Sequence, residues 1–432
     1  MMIRLAIPVY VELLTAVVAV GLIDLLWVSG LGEAAVAAVT VGTTVEYLAY
    51  GLFLAVPTGV TVLVGRRDGH APVTPVVRAG WALWAVLSVA IAVPGVLLRE
   101  PLAALFTDDW RLTAGFFLVS LGGLPVYFAQ TVVDGILKGR GDTRRPMRHA
   151  ILCNVLVVAL DPLFIYGLDL GVQGAALATV AARLLTLVVA LATSRRLIRP
   201  PSTEGDAGVG AGADAVGGAA VAWDVVRTGL PMSGDFLARS AVGMALVDLV
   251  AGFGTRELAG YGIGQKVMLA GVMVFYALRQ AAMIRTARSE PVGSPLLLGL
   301  GAGAAVALAV NAVAAPVAAL FTADPEPAVS FLRWMTLYLV PFGGLIAVGG
   351  VLQASGRGGR LLAATLAGFA VQVPLAYALS AHAGVTGVWL AMAAGAAVSL
   401  AGALAPRAAA PGSARGRAPR STRTAADRPS GR

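Results

Sequence analysis

Apolar stretches follow one another along almost the whole chain, each long enough to cross a bilayer and separated from the next by a short basic break. Coarse boundaries are 5–28, 36–64, 79–98, 112–137, 147–167 and 171–194 in the first half. The second half gives 225–252, 257–284, 295–320, 328–354, 361–380 and 384–405. A hydrocarbon core about 30 Å thick takes roughly 20 apolar residues per helix, and it leaves no backbone polar group unpaired. A chain patterned this way folds as spanning helices. Charged residues make up 13% of it, against about 25% in a soluble domain, so two or three soluble domains are excluded.

The first run, from Met1 to Trp27, is longer than a signal-peptide core and contains Glu12 and Asp24, so it reads as a span. A net charge of +9 would suggest nucleic acid in a soluble protein, but here the arginines sit in loops and tail, and the partner they imply is the lipid bilayer. Cys153 is the single cysteine, and His70, His149 and His382 lie far apart, so disulfides and a His/Cys metal site are excluded. Neither a phosphate-cradling loop nor a nucleophile motif is present, which argues against ATP hydrolysis and against an enzyme.

Alternate loops differ in basic residues. One set holds Arg4, the group Arg66, Arg67 and Arg78, the group Lys138 to Arg148, Arg195 to Arg227, Arg279 to Arg288, and Arg357 with Arg360; the other holds Arg99, Arg111, Arg256 and Arg333. This bias places both termini in the cytoplasm of a bacterial inner membrane. Residues 195–224 read as a flexible Gly/Ala/Asp linker between a bundle at 1–194 and a second at 225–405, and 406–432 as a disordered basic tail.

The halves repeat. Pro101-Leu-Ala-Ala-Leu-Phe-Thr recurs as Pro316-Val-Ala-Ala-Leu-Phe-Thr, an offset of about 215 residues that keeps both copies in one orientation, a common transporter plan. Pro125 recurs as Pro341, Gly139/Gly141 as Gly356/Gly358, and Gly171-Val-Gln-Gly as Gly384-Val-Thr-Gly. The expected architecture is therefore all-α, about 12 transmembrane helices in two pseudo-symmetric six-helix bundles around a central cavity.

An ionisable residue in mid-membrane costs roughly 2.5–3.5 kcal/mol even on a lenient scale, so each needs a partner or a task. Counting 1.5 Å per residue puts Asp24 about 28 Å along its span and Asp161 about 21 Å along its own, with Thr179 about 12 Å below the opposite surface. All three fall in one half of the first bundle. Two carboxylates held close cannot both stay ionised, which makes such a pair a proton site; the same oxygens could instead hold Na⁺. Glu12, Glu46 and Asp235 are expected to line the cavity and attract cationic cargo. Asp235 and Arg239 are four apart on one helix and suit an ion pair equally well. Asp134 and Lys138 suit a local pair, and Arg183 and Lys266 suit compensation of buried carboxylates.

The run Leu137-Lys-Gly-Arg-Gly-Asp-Thr-Arg-Arg-Pro146, with Asn154, Leu160-Asp-Pro-Leu-Phe-Ile-Tyr-Gly167 and Gly171-Val-Gln-Gly-Ala-Ala-Leu-Ala-Thr179, closely resembles helices 4 to 6 of the multidrug and toxic compound extrusion (MATE) family. Pro8, the Asp24 region and Thr58-Gly59 through Gly69 resemble its first two helices, and the likeness covers roughly 5–400, weaker in the second half. Membership implies two six-helix lobes and cation-coupled efflux. It places the family's first-helix aspartate on Asp24, its fifth-helix aspartate on Asp161 and its sixth-helix threonine on Thr179, with Asn154 retained. Val157 stands where many members carry an asparagine, and Arg285-Thr-Ala-Arg-Ser-Glu290 replaces a loop of different composition. Losing that oxygen favours H⁺ over Na⁺ as the coupling ion. The implied function is a monomeric antiporter exporting small-molecule organic cations by alternating access, with no cofactor. The competing function is a flippase for lipid-linked saccharides of the same superfamily.

Overall fold

The computed structural model describes residues 2–107, 110–195 and 211–405. Described residues are overwhelmingly helical, and none lies in a strand. The long helices, numbered in chain order, are α1 Met2–Leu31, α2 in two pieces (Glu33–Phe53 and Ala55–Arg67), α3 Thr74–Leu97, α4 Trp110–Gly139, α5 Arg144–Gly167 and α6 Gly171–Thr193. The second half supplies α7 Ala211–Ala251, α8 Thr255–Ala287, α9 Pro295–Ala318, α10 Glu326–Ala354, α11 Gly358–Ala383 and α12 Val385–Leu404. Among the described residues, eleven helices are long and apolar enough to cross a membrane on those grounds alone. The other, α7, crowds Asp235, Arg239 and Asp248 into its second half and so falls outside that class. Counting it, the expected twelve are present.

Prolines set the breaks. Pro57 has no N–H for the carbonyl of Phe53 and its ring crowds that carbonyl, so the single span expected at 36–64 splits at Leu54. Pro125 does the same to α4, which turns at Gly123. The expected linker is corrected in part: 196–210 lie outside the described residues, but α7 begins at Ala211. Half of its first ten residues are alanine, and a helix already nucleated by packing further along extends at little cost over alanines. The basic tail 406–432 lies outside the described residues.

The internal repeat is visible in the backbone. Ala-Leu-Phe-Thr closes both α3's following turn and α9 with the same bonds: Phe106 N to Ala103 O and Phe321 N to Ala318 O, both 3.0 Å. Helices α4 and α10 end on matched glycine caps at Gly141 (φ 80°) and Gly356 (φ 78°), each followed by a bond from the next N–H back to the last turn. This corrects the register read from sequence. Gly141 corresponds to Gly356, not to Gly358, because only the residue at the left-handed position must lack a side chain.

Among the described residues the two largest hydrophobic cores are built one from the first half around Phe53, Phe117 and Phe128, the other from the second around Phe275, Phe331 and Leu339. Two smaller clusters join Val9 and Val62 to α8 and α10. The halves meet at the end that carries the basic loops. There Gly59 and Gly229 let α2 and α7 touch backbone to backbone, and a Cβ on Gly229 would collide with the Ala55 carbonyl. Arg66 donates to the Ala354 carbonyl at 2.6 Å, and Asp68 pairs with Arg288 of the other half and Arg140 of its own. Toward the opposite end α2 and α7 part, and an apolar crevice of about 340 Å³ opens between Tyr47 and Met244. Gly229→Ala should therefore destabilise the purified protein by about 1–3 kcal/mol, the usual cost of overpacking. A thermal midpoint equal to wild type would show that the crossing tolerates a Cβ.

Candidate functional site

Helices α1, α5 and α6 pack together in the first bundle and carry the residues singled out from sequence. Helix α1 widens into a π turn over Leu14–Ala19, and α5 does so over Leu163–Gly167, directly after Pro162 withdraws its N–H from the ladder. Helix α5 holds α1 at two carbonyls. Asn154 Nδ2 donates to Thr15 O (3.1 Å) within the wide turn, and the Tyr166 hydroxyl donates to Trp27 O (2.5 Å) near the far end. Between these two straps Asp24 faces Asp161.

Their carboxyl groups are near enough to repel each other as anions. Asp161 is fully buried and both of its oxygens lack a partner; Asp24 (7% exposed) leaves Oδ1 without one. Thr179 on α6 is buried too, its Oγ1 equally unpartnered. Asn154 shares the bundle but not the carboxylate pair. It sits seven residues before Asp161 on the same helix, about 10 Å back along the axis. Its Nδ2 serves the backbone of α1 and of its own helix, while its Oδ1 is buried without a partner.

The remaining predicted acids are already matched. Glu12 accepts from Lys138 Nζ at 2.6 Å, Glu46 from Arg183 Nη1 at 3.2 Å, and Asp235 from Arg239, Arg279 and Thr365. None of the three stands in the cavity as a free acid. The expected local pair of Asp134 with Lys138 is corrected: Lys138 reaches across to α1, while Asp134 takes a proton donor from Gln130 and faces His149 at 3.3 Å. Arg183 does compensate a buried carboxylate; Lys266 is exposed and forms no ion pair among the described residues. Arg279, counted from sequence with the basic loops, lies inside α8 and is 2% exposed. An arginine in the run Phe275-Tyr-Ala-Leu-Arg-Gln-Ala-Ala-Met-Ile was the available signal, since apolar flanks on both sides place it within the span.

One contrast follows. Among the described residues, every buried or half-buried acid has a base within salt-bridge distance except Asp24 and Asp161. An uncompensated pair of carboxylates in a low-dielectric interior must carry a proton or a bound cation. The described residues hold no cluster of three or more His, Cys, Asp or Glu suited to a metal ion. The unpartnered buried oxygens on these three helices include those of Asp24 and Asp161, the Thr179 hydroxyl and Asn154 Oδ1, and the side chain one turn before Asp161 is the buried, apolar Val157.

A family model described as MatE matches residues 8–163 and 231–378. Among curated proteins, the chain is 24% identical to an FAD transporter of Shewanella oneidensis, over 78% of this chain and 77% of that protein. It is 24% identical to a probable multidrug resistance protein of Bacillus subtilis, over 86% of this chain and 85% of the other. Among solved structures, it superposes on an outward-facing MATE multidrug resistance transporter of the MOP superfamily with a TM-score of 0.79, at 23% identity and 92% coverage of each chain.

Proposed function

The chain belongs to the MatE family of membrane transporters, and from that premise we propose that it exports small organic molecules by alternating access in exchange for inward-moving protons. The observation that carries the proposal is the Asp24–Asp161 pair, the buried acids left without a base among the described residues. A proton entering from outside satisfies one carboxylate through the other and leaves the pair at a single negative charge. Losing it inward restores two charges in an apolar setting, a state stabilised by a cationic group. Proton and lipophilic cation then exclude one another at the same carboxylates, which couples entry of one to exit of the other. Relatives named for FAD and for multidrug resistance indicate that cargo varies within this family, so the coupling site rather than the cargo defines the proposal.

In the proposed cycle the basic end faces the cytoplasm of an inner membrane, by the loop-charge bias. The Asp68–Arg288 pair and the Gly59–Gly229 crossing then close the inward side, and the crevice beside Tyr47 lies toward the outside. Return to the inward-facing state requires breaking that ion pair and the bond from Arg66 to Ala354.

The test is ethidium efflux from proteoliposomes with a pH gradient or a Na⁺ gradient imposed separately. Efflux is expected with the pH gradient alone. Efflux with Na⁺ alone would replace the proton by a metal cation at the same residues, and failure of both would end the antiporter reading for this cargo.

A further inference from the structure

The second bundle holds a charge imbalance of the opposite sign. Asp235 on α7 lies between two guanidinium groups, Arg239 Nη2 at 3.0 Å and Arg279 Nη1 at 3.2 Å, and also accepts from Thr365 Oγ1 at 2.8 Å. One carboxylate therefore faces two arginines. Arg279 is 2% exposed, and its Nε and Nη2 are buried with no hydrogen-bond acceptor. Buried donors on a charged group are seldom left open, because each unmet one costs more than the bond it would make is worth. On α10 Gly349 packs against Arg279 Nε with no side chain of its own, so it supplies no acceptor for these donors.

The surroundings are aromatic. Arg239 lies over the rings of Phe342 (5.2 Å) and Phe369 (5.6 Å), and Tyr338 stacks on Phe342 at 4.8 Å. The Arg239 side chain keeps 17% of its surface open, so the cluster has one exposed edge. A fork of guanidinium donors beside flat apolar walls suits a carboxylate borne on an aromatic ring: charge-assisted bonds at one end, stacking at the other.

We propose that Arg239 and Arg279 form a subsite for the anionic group of an aromatic carboxylate cargo, Asp235 holding the two arginines in position. The subsite goes beyond the proton–cation exchange at Asp24 and Asp161, serving a cargo group of opposite charge, and its binding test uses no gradient. The two therefore fail separately: absence of gradient-driven efflux leaves the binding result standing, and the reverse holds.

The experiment is titration of the full-length protein, in nanodiscs of phosphatidylcholine, with 1-naphthoate and with its charge-reversed counterpart 1-naphthylmethylammonium. Naphthoate is expected to bind more tightly by about tenfold or more, the weight of one charge-assisted pair. Arg279→Gln should remove that preference, and Arg239→Lys, which keeps the charge but loses the fork, should reduce it. Equal or weaker binding of naphthoate by the wild-type protein would overturn the proposal whatever the variants do. Competition by inorganic phosphate at equal concentration would do the same, because it would mark an unselective anion site. So would loss of naphthoate binding when phosphatidylglycerol is added to the nanodisc, which would assign the arginines to a lipid headgroup.

Discussion

Asp24→Asn and Asp161→Asn should each lower efflux driven by a pH gradient by a factor on the order of ten to a hundred, the range that a coupling free energy of about 1–3 kcal/mol spans. The double variant should be no worse than either single one, because the two carboxyls act as one proton site. Stability should not fall with activity. Each substitution takes away a buried charge that has no base, which leaves nothing stranded. Glu12→Gln provides the contrast. It strands Lys138, whose Nζ lies 2.6 Å from Glu12, so it should reduce stability without a selective loss of coupling. Efflux and thermal unfolding measured on the same preparations separate the two behaviours. Wild-type efflux by both aspartate variants would remove the pair from the mechanism.

Asp235→Ala should have the largest effect on folding of any single change in the second bundle. It leaves Arg239 and Arg279 facing each other with only Thr365 and aromatic rings around them. Breaking a buried pair by deleting one partner costs about 3–5 kcal/mol, and here one deletion strands two partners. Against a total stability of roughly 5–15 kcal/mol, most of the protein should fail to accumulate folded. Asp235→Asn, which still accepts from one arginine, should cost less. Size-exclusion profiles and thermal midpoints of the purified proteins read this out, and an unchanged midpoint for Asp235→Ala would show that the arginines find other partners.

The architecture was legible because a bilayer imposes one rule on every span. Twenty apolar residues make a crossing wherever they occur, so twelve crossings and their repeat could be read without knowing any contact. The breaks at Leu54 and Gly123 were implicit in Pro57 and Pro125, which sit within otherwise continuous apolar runs. Asp24, Asp161 and Thr179 were grouped by depth, and depth follows from rise per residue along a known direction. Depth does not give the angle around a helix axis. Asn154 was added on the family resemblance alone; its amide nitrogen turns to Thr15, while its Oδ1 is left without a partner. Ion pairing was the least legible. Lys138 and Glu12 are 126 residues apart, Arg183 and Glu46 are 137 apart, and only packed helices bring them together. An acid without its base cannot be recognised until every other acid has been matched, so the feature that distinguishes Asp24 and Asp161 exists only in three dimensions.

The most direct test of the shared proton is the proton balance of cargo binding. Purified protein in weakly buffered detergent solution, near neutral pH, is mixed with ethidium while the pH is followed. The exchange at Asp24 and Asp161 predicts release of about one proton per bound cation by the wild-type protein, and none by Asp24→Asn or Asp161→Asn. Ethidium binding with no proton released, or the same release from both variants, would contradict it.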